Sequence, residues 1–255
     1  MPRADEYHAF EREIDKWRTR RKDSSERKSY DEVFDQQNLM RIYKLFSDGV
    51  VDQFDFPIST GKEGNVFRAS TKSGELLAVK IYRTSTGTFS DMYNYIAGDQ
   101  RFKGIPKNRR RLIFAWALKE FLNLGLFRKA GVRVPSPVAH HANILVMEYI
   151  GDADEPARQL RNVVLDDPER ICRKILDYVR LGYQKAKLVH CDLSEFNVLM
   201  LAGEPVLIDV GQGVLTSHPN AHEWLERDVA NVARYFKKYG IKIDVAEELK
   251  GIRRP

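Results

Sequence analysis

The stretch from Leu188 to Gly213, LVHCDLSEFNVLMLAGEPVLIDVGQG, constrains the fold of this chain more than any other. Two apolar runs, Asn197 to Leu201 and Pro205 to Val210, are separated by the turn-forming sequence Ala-Gly-Glu-Pro, and this pattern predicts a tight β-hairpin. Asp192 precedes the hairpin and Asp209 closes it. The sequence therefore predicts a hairpin with an acidic residue at each flank.

Two acids in these positions suit phosphoryl transfer. That reaction depends on positioning and charge neutralisation: one carboxylate orients a hydroxyl group, while an amide oxygen and a second carboxylate hold magnesium on the phosphates. The order His190-x-Asp192-x4-Asn197, followed by an apolar strand that ends in Asp209-x-Gly211, resembles the catalytic and metal-binding loops of protein kinases. A chance match to the first of these patterns has odds of roughly a few per cent in such a chain, so the interpretation depends on motifs upstream.

The composition indicates a globular protein without a membrane span. A chain of 255 residues with 43% hydrophobic residues can bury a core in one large domain or in two lobes. No apolar run approaches the ~20 residues of a transmembrane helix, and the first ten residues lack the apolar core of a signal peptide. Cys172 and Cys191 make neither a disulfide framework nor a metal-ligand cluster, so we expect a cytoplasmic protein with no disulfide.

The first 50 residues are rich in charge and predict two helices. Phe10, Ile14 and Trp17 recur at helical spacing, and a second helix is predicted from Asp31 to Val50. We interpret the basic run from Arg18 to Lys22 as the solvated end of a surface helix, in preference to a dedicated RNA-binding arm. The net charge of +6 still permits an acidic partner such as RNA, although this balance is also common in plain soluble proteins.

A glycine-containing loop follows between two predicted strands, in ISTGKEGNVFRAS. Glycines let backbone N–H groups approach phosphates that a Cβ would keep away. Against the kinase pattern G-x-G-x-x-G-x-V, Ser59 replaces the first glycine, whereas Gly61, Gly64 and Val66 match. A Walker A loop is excluded because Glu63 stands where that motif needs a hydroxyl group. The residues expected to cover a nucleotide are Ser59, Thr60, Gly61, Lys62, Glu63, Gly64, Asn65 and Val66.

Lys80 ends the next apolar strand. A lysine in this position loses hydration unless it meets anions, so phosphate binding is favoured over a lysine that extends to the surface. A helix predicted from Pro106 to Phe127 carries Glu120, which we expect to pair with Lys80; the alternative is an exposed helical glutamate. Residues 83–105, rich in Ser, Thr, Gly and Tyr without a clear period, are predicted to form a mobile insertion.

The remaining pattern predicts two strands and two helices. The strands flank the turn at 140–143 and end at Met147 to Ile150, where a kinase hinge offers backbone groups to adenine; the alternative is an ordinary edge strand. Helices are predicted from Pro168 to Lys187 and from Asn220 to Lys238, and the tail IRRP is expected to fray.

Taken in order, these motifs resemble the atypical RIO kinase family. The sequences STGKEGNV, LVHCDLSEFN, LIDVGQ and SHPNAHEWLERDVANVARYF are similar to its type-one branch, in a minimal form like that of archaeal members, and the resemblance covers about residues 30 to 245. It implies an α+β, bilobal protein-kinase-like fold. Residues 1–50 would be an N-terminal helical extension packed on the N-lobe, 51–150 an N-lobe of antiparallel sheet plus helices with the flexible insertion 83–105, and 151–255 a trimmed, mainly helical C-lobe.

The resemblance also implies roles for individual residues. Asp192 would be the catalytic aspartate that positions the attacking oxygen, Asn197 and Asp209 would bind magnesium or manganese, and Lys80 would hold the α and β phosphates of ATP. Glu148 and Ile150 would meet adenine through backbone groups, Met147 would screen the pocket behind it, and Glu120, His190 and Asp228 would give structural support.

The function implied by the resemblance is that of an ATP-dependent serine/threonine kinase that autophosphorylates and acts in maturation of the small ribosomal subunit. The alternative is an ATPase-driven assembly switch, released from the precursor of the small ribosomal subunit by ATP turnover, with Asp209 as a phospho-acceptor and little phosphorylation of protein substrates. A pseudokinase is disfavoured because Lys80, Asp192, Asn197 and Asp209 are all present. Cys191 replaces the arginine that reads a phosphorylated activation loop in ordinary protein kinases, so no control of that kind is expected.

Overall fold

A computed structural model describes residues 35–61, 63–84, 89–105 and 108–254. The main sheet is antiparallel and has five strands in the order β1-β2-β3-β5-β4. The strands are β1 (Gln53–Thr60), β2 (Gly64–Ser70), β3 (Leu76–Tyr82), β4 (Pro137–His141) and β5 (Ile144–Glu148). Strand β3 lies at the centre, which explains why its residues Leu77 to Tyr82 are all buried, and its register places Lys80 opposite Val66 on one side and Leu145 on the other.

Helix α1 (Gln36–Ser47) covers part of this sheet, and Asp35 caps its N-terminus by accepting from the Asn38 backbone N–H at 2.7 Å. Its buried residues Leu39, Ile42 and Leu45 share one core cluster with Phe54 and Phe67. Each such side chain contributes about 1.5–3 kcal/mol when fully buried. This helix lies within the predicted range 31–50, whereas the predicted helix around Phe10, Ile14 and Trp17 falls outside the described residues.

The segment 83–105, which the sequence analysis interpreted as a mobile insertion without a clear period, contains helical structure. It contains helix α2 (Phe89–Ala97) and a 3-10 turn at Gln100–Phe102. Met92, Ile96 and Phe102 are buried in a cluster with Trp116 of the next helix. The sequence analysis missed this helix because Ser, Thr and Gly content outweighed the four-residue spacing of Met92 and Ile96, which places both on one helical face. Residues 85–88 fall outside the described part of the chain.

Helix α3 (Arg109–Lys129) is buried on several sides and connects the two halves of the molecule. Leu112 and Trp116 pack with the α2 region, whereas Leu124 and Phe127 belong to the large core cluster of the second half. The helix also contacts β4, β5 and the turn that follows β9. Residues of α3 can therefore act on the sheet and on that turn together.

The second half is mainly helical. Its helices are α4 (Pro168–Leu181), followed by a π-helical turn at Gly182–Ala186, α5 (Ala221–Phe236) and α6 (Val245–Arg253), and its strands are β6 (Arg158–Gln159), β7 (Leu188–Val189), β8 (Val198–Leu201), β9 (Glu204–Leu207) and β10 (Val214–Leu215). Ile252 is buried within α6, so the prediction that the tail frays is wrong for this residue.

The predicted hairpin is present as β8 and β9. Its turn residues Ala202 and Gly203 have φ of 50° and 78°, the left-handed conformations that a two-residue hairpin turn requires. The sheet-containing half and the mainly helical half together confirm the α+β bilobal arrangement predicted from the sequence. Among the described residues, no helix has the length and apolar character needed to cross a membrane.

Candidate active site

Lys80 lies between two carboxylates at the boundary of the two halves. Its Nζ is 2.9 Å and 3.0 Å from the two carboxylate oxygens of Glu120 and 2.5 Å from Oδ1 of Asp209. Burial alone lowers the pKa of Lys80, but the charges of Asp209 and Glu120 outweigh burial and hold that pKa above its ordinary value. Lys80 therefore carries a positive charge at neutral pH.

Glu120 reaches Lys80 from α3 and is almost fully buried. The pair expected between these two residues is present in the structure. Burial raises the pKa of Glu120 to about 7 against the opposing charge of Lys80. The Tyr82 hydroxyl also donates to Glu120, a contact that the sequence analysis missed. The available signal was position, because Tyr82 lies two residues after Lys80 in β3 and side chains two apart on a strand share a face.

Asp209 follows β9 and has a strained backbone, with φ 57° and ψ 51°. A non-glycine residue in this left-handed region costs about 1–3 kcal/mol, so the surrounding structure must hold it there. The Lys80 charge holds the pKa of Asp209 below its ordinary value, and half of the Asp209 side chain remains exposed. Asp209 is therefore an ionised carboxylate that is accessible beside a buried cation.

Asp192 is oriented by Asn197. The Asn197 amide donates from Nδ2 to the Asp192 backbone carbonyl at 2.8 Å and to Asp192 Oδ2 at 2.9 Å. Because both bonds use Nδ2, the amide oxygen of Asn197 is left to accept from another donor or from a cation. Burial raises the pKa of Asp192 above its ordinary value, although the bond from Asn197 opposes this effect.

His190 joins the loop of Asp192 to the strand that leads to Asp209. Its Nε2 lies 3.0 Å from the backbone carbonyl of Ile208, and the Asp192 N–H donates to its Nδ1 at 3.3 Å. Burial lowers the pKa of His190 to about 4, so the ring is neutral at neutral pH, with its proton on Nε2 to donate to that carbonyl. His190 thus links the loop of Asp192 to Ile208, the residue before Asp209.

Asp228 of α5 holds the backbone on both sides of Asp192. Its carboxylate accepts from the N–H of Cys191 at 2.8 Å and from the N–H of Leu193 at 2.9 Å, and Asp228 is almost fully buried. Cys191 has φ 71°, a left-handed conformation, so this carboxylate stabilises a strained segment. Burial raises the pKa of Asp228 to about 7 against these hydrogen bonds.

Replacing Asp228 with alanine is expected to destabilise the protein by roughly 2–4 kcal/mol, because two buried N–H groups lose their acceptor beside a strained residue. Urea unfolding monitored by circular dichroism measures this change. Glu226→Ala, an exposed carboxylate on the same helix, serves as the control and is expected to change stability by less than about 0.5 kcal/mol. Equal urea midpoints for the two variants would contradict the stabilising role of the Asp228 carboxylate.

A cavity of about 260 Å³ lies in front of these groups. It is lined by Ser59, Gly61, Glu63, Gly64, Val66, Lys80, Tyr82, Trp116, Asp192, Asp209, Gly211 and Gln212. Gly64 is required for close packing, since a Cβ there would lie 2.4 Å from the Ile81 carbonyl oxygen. The sequence analysis did not name Tyr82 or Trp116 as site residues, because neither residue belongs to a recognised motif.

Some of the predicted loop residues do not face this cavity. Thr60 is not among the residues that line it, and Lys62 falls outside the described residues. The Asn65 side chain is fully buried, and its Oδ1 accepts from Arg83 at 3.2 Å. Asn65 therefore differs from the loop residues that line the cavity, because its side chain is buried and bonded to Arg83.

Met147 and Glu148 of β5, and Ile150 just beyond its end, are not among the residues that line the cavity. Met147 pairs with Ala78 of β3, two residues before Lys80, so the predicted hinge begins on the strand next to the one that carries Lys80. The Glu148 side chain accepts from both terminal nitrogens of Arg133, at 2.8 Å and 2.5 Å, and from the Ser136 N–H at 3.0 Å. These bonds fix residues 133–136, which lead into β4, to the end of β5.

Comparison with family models matches the RIO domain over residues 65–249. The chain is 44% identical over 234 residues to the RIO-type serine/threonine-protein kinase Rio1 of Haloferax volcanii, covering 92% of this chain and 80% of that protein. It is 38% identical over 213 residues to Rio1 of Methanocaldococcus jannaschii, covering 83% and 72%. It is also 39% identical over 243 residues to serine/threonine-protein kinase RIO1 of Homo sapiens, covering 94% of this chain and 42% of the human protein, so it spans less than half of that relative.

Among solved structures, the chain resembles the Rio2 kinase complex with ADP, Mg²⁺ and phosphoaspartate from Chaetomium thermophilum. The TM-score is 0.66 at 20% sequence identity, with coverage of 86% of this chain and 67% of that one. This likeness supports the bilobal fold.

Proposed function

The chain belongs to the RIO family of atypical serine/threonine protein kinases, and from this premise we propose that it transfers the γ-phosphoryl group of ATP with the help of magnesium. The observation that carries the proposal is the position of Lys80. Its Nζ bridges Glu120 and Asp209 at the wall of a cavity that Asp192 and the glycine loop also line. A positioned cation and two carboxylates in one cavity match the needs of phosphoryl transfer.

Lys80 is the group that binds the α and β phosphates in this proposal. Its raised pKa keeps it charged, and Glu120 holds its Nζ from the buried side. The loop that carries Gly61 and Gly64 lines the same cavity, and the Gly61 N–H closes it by donating to the Gly64 carbonyl at 2.9 Å. These contacts support a triphosphate that lies between the loop and Lys80.

The residues present fit a magnesium ion shared with phosphates. The Asp209 carboxylate and the Asn197 amide oxygen are hard oxygen donors, the type that magnesium prefers, and the two bonds of Asn197 to Asp192 use Nδ2 and not this oxygen. In the described part of the chain, no three His, Cys, Asp or Glu side chains converge to hold a metal by themselves. Magnesium typically takes one or two protein carboxylates and completes its shell with phosphate oxygens and water, so the two donors suffice. When bound, the ion would neutralise charge that develops on the phosphates.

Asp192 performs the proton step in this proposal. The acceptor hydroxyl oxygen forms a bond to the γ phosphorus, its proton passes to the Asp192 carboxylate, and the bond between the γ phosphorus and the bridging oxygen breaks to release ADP. Asn197 keeps the carboxylate oriented toward the acceptor through its bond to Oδ2. In this proposal Glu148 and Ile150, at and just beyond the end of β5, meet the adenine ring through backbone groups, and Met147 screens the pocket behind it.

A second candidate is an ATPase-driven switch in which Asp209 is itself the phospho-acceptor. Its side chain is half exposed beside Lys80, so an oxygen of this carboxylate can face the γ phosphorus. The Rio2 structure from Chaetomium thermophilum contains a phosphoaspartate, which supports such chemistry in a similar fold. The partner in this case is the precursor of the small ribosomal subunit, approached through basic surface, and phosphate transfer marks the spent state.

Hydroxylamine treatment distinguishes the two candidates. We expect enzyme incubated with γ-labelled ATP and quenched in acid to lose label with hydroxylamine if Asp209 is phosphorylated, because an acyl phosphate is cleaved whereas a phosphoserine is stable. Co-sedimentation with small-subunit precursors should then decrease as salt rises and increase for Asp192→Ala, which cannot complete turnover. A wholly resistant label, with no co-sedimentation at low salt in any nucleotide state, would return the assignment to a serine/threonine kinase alone.

A further inference from the structure

The turn that follows Asp209 is held by side chains of α3. Lys119 donates from Nζ to the carbonyls of Gly211, at 2.7 Å, and Gly213, while Asn123 donates from Nδ2 to the carbonyls of Val210 and Gly213, each at 2.8 Å. Three of the four residues after Asp209 therefore have their carbonyl groups fixed by one helix.

Lys119 and Asn123 are both fully buried. In the described part of the chain, no carboxylate forms an ion pair with Lys119, and its polar contacts are the two carbonyls of the turn. Burial lowers the pKa of Lys119 to about 7, because the partial negative charges of two carbonyl oxygens replace water less well than a carboxylate would. A buried lysine in this position is explained by the turn it holds, since an apolar side chain would fill the same space without the cost of burying a cation.

The orientation of the Asn123 amide is fixed from the other side. Arg101 donates to its Oδ1 at 2.9 Å, so Nδ2 is the atom that faces the turn. Arg101 is itself fixed by Asp99, with 2.6 Å between Arg101 Nη2 and Asp99 Oδ2, and Asp99 is almost fully buried. The segment between α2 and α3 thus supports Asn123.

These contacts bear on the geometry of Asp209, whose left-handed backbone must be held in place by its surroundings. We propose that Lys119 and Asn123 are positioning residues, which set the Asp209 carboxylate by holding the carbonyls of residues 210–213 against α3. The inference rests on the proposed role of Asp209 as a magnesium ligand. Helix α3 is then the shared support of the site. Its Glu120 holds Lys80, and its Lys119 and Asn123 hold the turn after Asp209.

Three variants test the inference. Lys119→Met removes the donor but keeps an unbranched side chain, and Asn123→Asp keeps the size and the bond from Arg101 but cannot donate to the turn. Lys129→Met makes the same chemical change at an exposed position of α3 and serves as the control. Circular dichroism and thermal melting establish that each variant is folded, and Asn123→Asp carries the test if Lys119→Met does not fold.

Two readouts separate positioning from general stability. Hydrogen exchange of the amides of residues 209–213, measured without nucleotide or metal, is expected to quicken about tenfold in both test variants. The magnesium concentration for half-maximal phosphotransfer is expected to rise about 10- to 100-fold, as is usual when an outer partner of a metal ligand is lost. Affinity for ATP without metal is expected to stay within about twofold of the wild type, as are all three quantities for Lys129→Met.

Asp209→Asn is measured beside these variants. If Asp209→Asn raises the magnesium requirement while Lys119→Met and Asn123→Asp do not, the positioning inference is overturned and the proposed role of Asp209 stands. If Asp209→Asn leaves the magnesium requirement unchanged, the metal role of Asp209 fails, and the exchange rates alone then decide whether α3 holds the turn. Exchange rates equal to those of the wild type in both test variants would overturn the inference in either case.

Discussion

Alanine in place of Asp192 is expected to lower the rate of phosphotransfer by about 10³-fold or more, because the acceptor hydroxyl loses the carboxylate that orients it and takes its proton. Affinity for ATP with magnesium is expected to remain within about threefold of the wild type, since Lys80, Asn197 and Asp209 are assigned to the nucleotide and its metal. Single-turnover phosphotransfer and equilibrium nucleotide binding measure the two quantities separately.

Asp166→Ala is the matched control, because it removes an exposed carboxylate of the same half of the molecule that does not line the cavity. Asp192→Asn adds a second comparison, since it keeps the size of the side chain but cannot accept the proton. A rate for either Asp192 variant that is close to that of Asp166→Ala would remove Asp192 from the proton step.

The pH dependence of the same rate follows from the Asp192 environment. Burial raises the pKa of this carboxyl above its ordinary value. The ionised form is the one that accepts a proton, so activity is expected to be full above that pKa and to fall as the pH decreases through it. The acid limb should therefore have its midpoint above the ordinary aspartate value of about 3.9.

The parts of this structure that the sequence predicts best are local. The hairpin follows from two apolar runs and a turn in which Ala202 and Gly203 adopt left-handed conformations, and all of this is contained in adjacent residues. The sequence analysis selected Lys80 as a candidate site residue by a similar local argument, because a cation on an apolar strand needs an anion. The pairing with Glu120 required only one acid on the following helix.

The parts that the sequence misses depend on contacts between distant segments. Lys119 and Asn123 look like ordinary helical polar residues, and only the packing of α3 against the turn at 210–213 shows that they are fully buried donors. Trp116 enters the site for the same reason. The helix at Phe89–Ala97 was missed for another reason. Within its described side chains, at 92–97, two are buried, and these two were too few to outweigh the surrounding Ser, Thr and Gly.

Replacing Lys80 with methionine is expected to lower kcat/KM by about 10²–10³-fold, the usual loss when one group that stabilises developing charge is removed. The same change also affects folding, because Glu120 is then a buried carboxyl without its cation and lies near the ionised Asp209. We expect Lys80→Met to unfold at a lower urea concentration than the wild type. Steady-state kinetics and urea unfolding measure the two effects, and Lys129→Met is the control for both.

A double variant separates the catalytic role of Lys80 from its structural one. In Lys80→Met/Glu120→Gln a neutral amide replaces the buried carboxyl, and the amide oxygen can still accept from the Tyr82 hydroxyl, so stability should recover relative to Lys80→Met. Activity should not recover, because no cation remains to bind the phosphates. If stability and activity recovered together, the loss in Lys80→Met would come from the unpaired Glu120, and Lys80 would be a structural partner of that carboxylate. If stability recovered while kcat/KM stayed low, the charge of Lys80 would be assigned to the nucleotide.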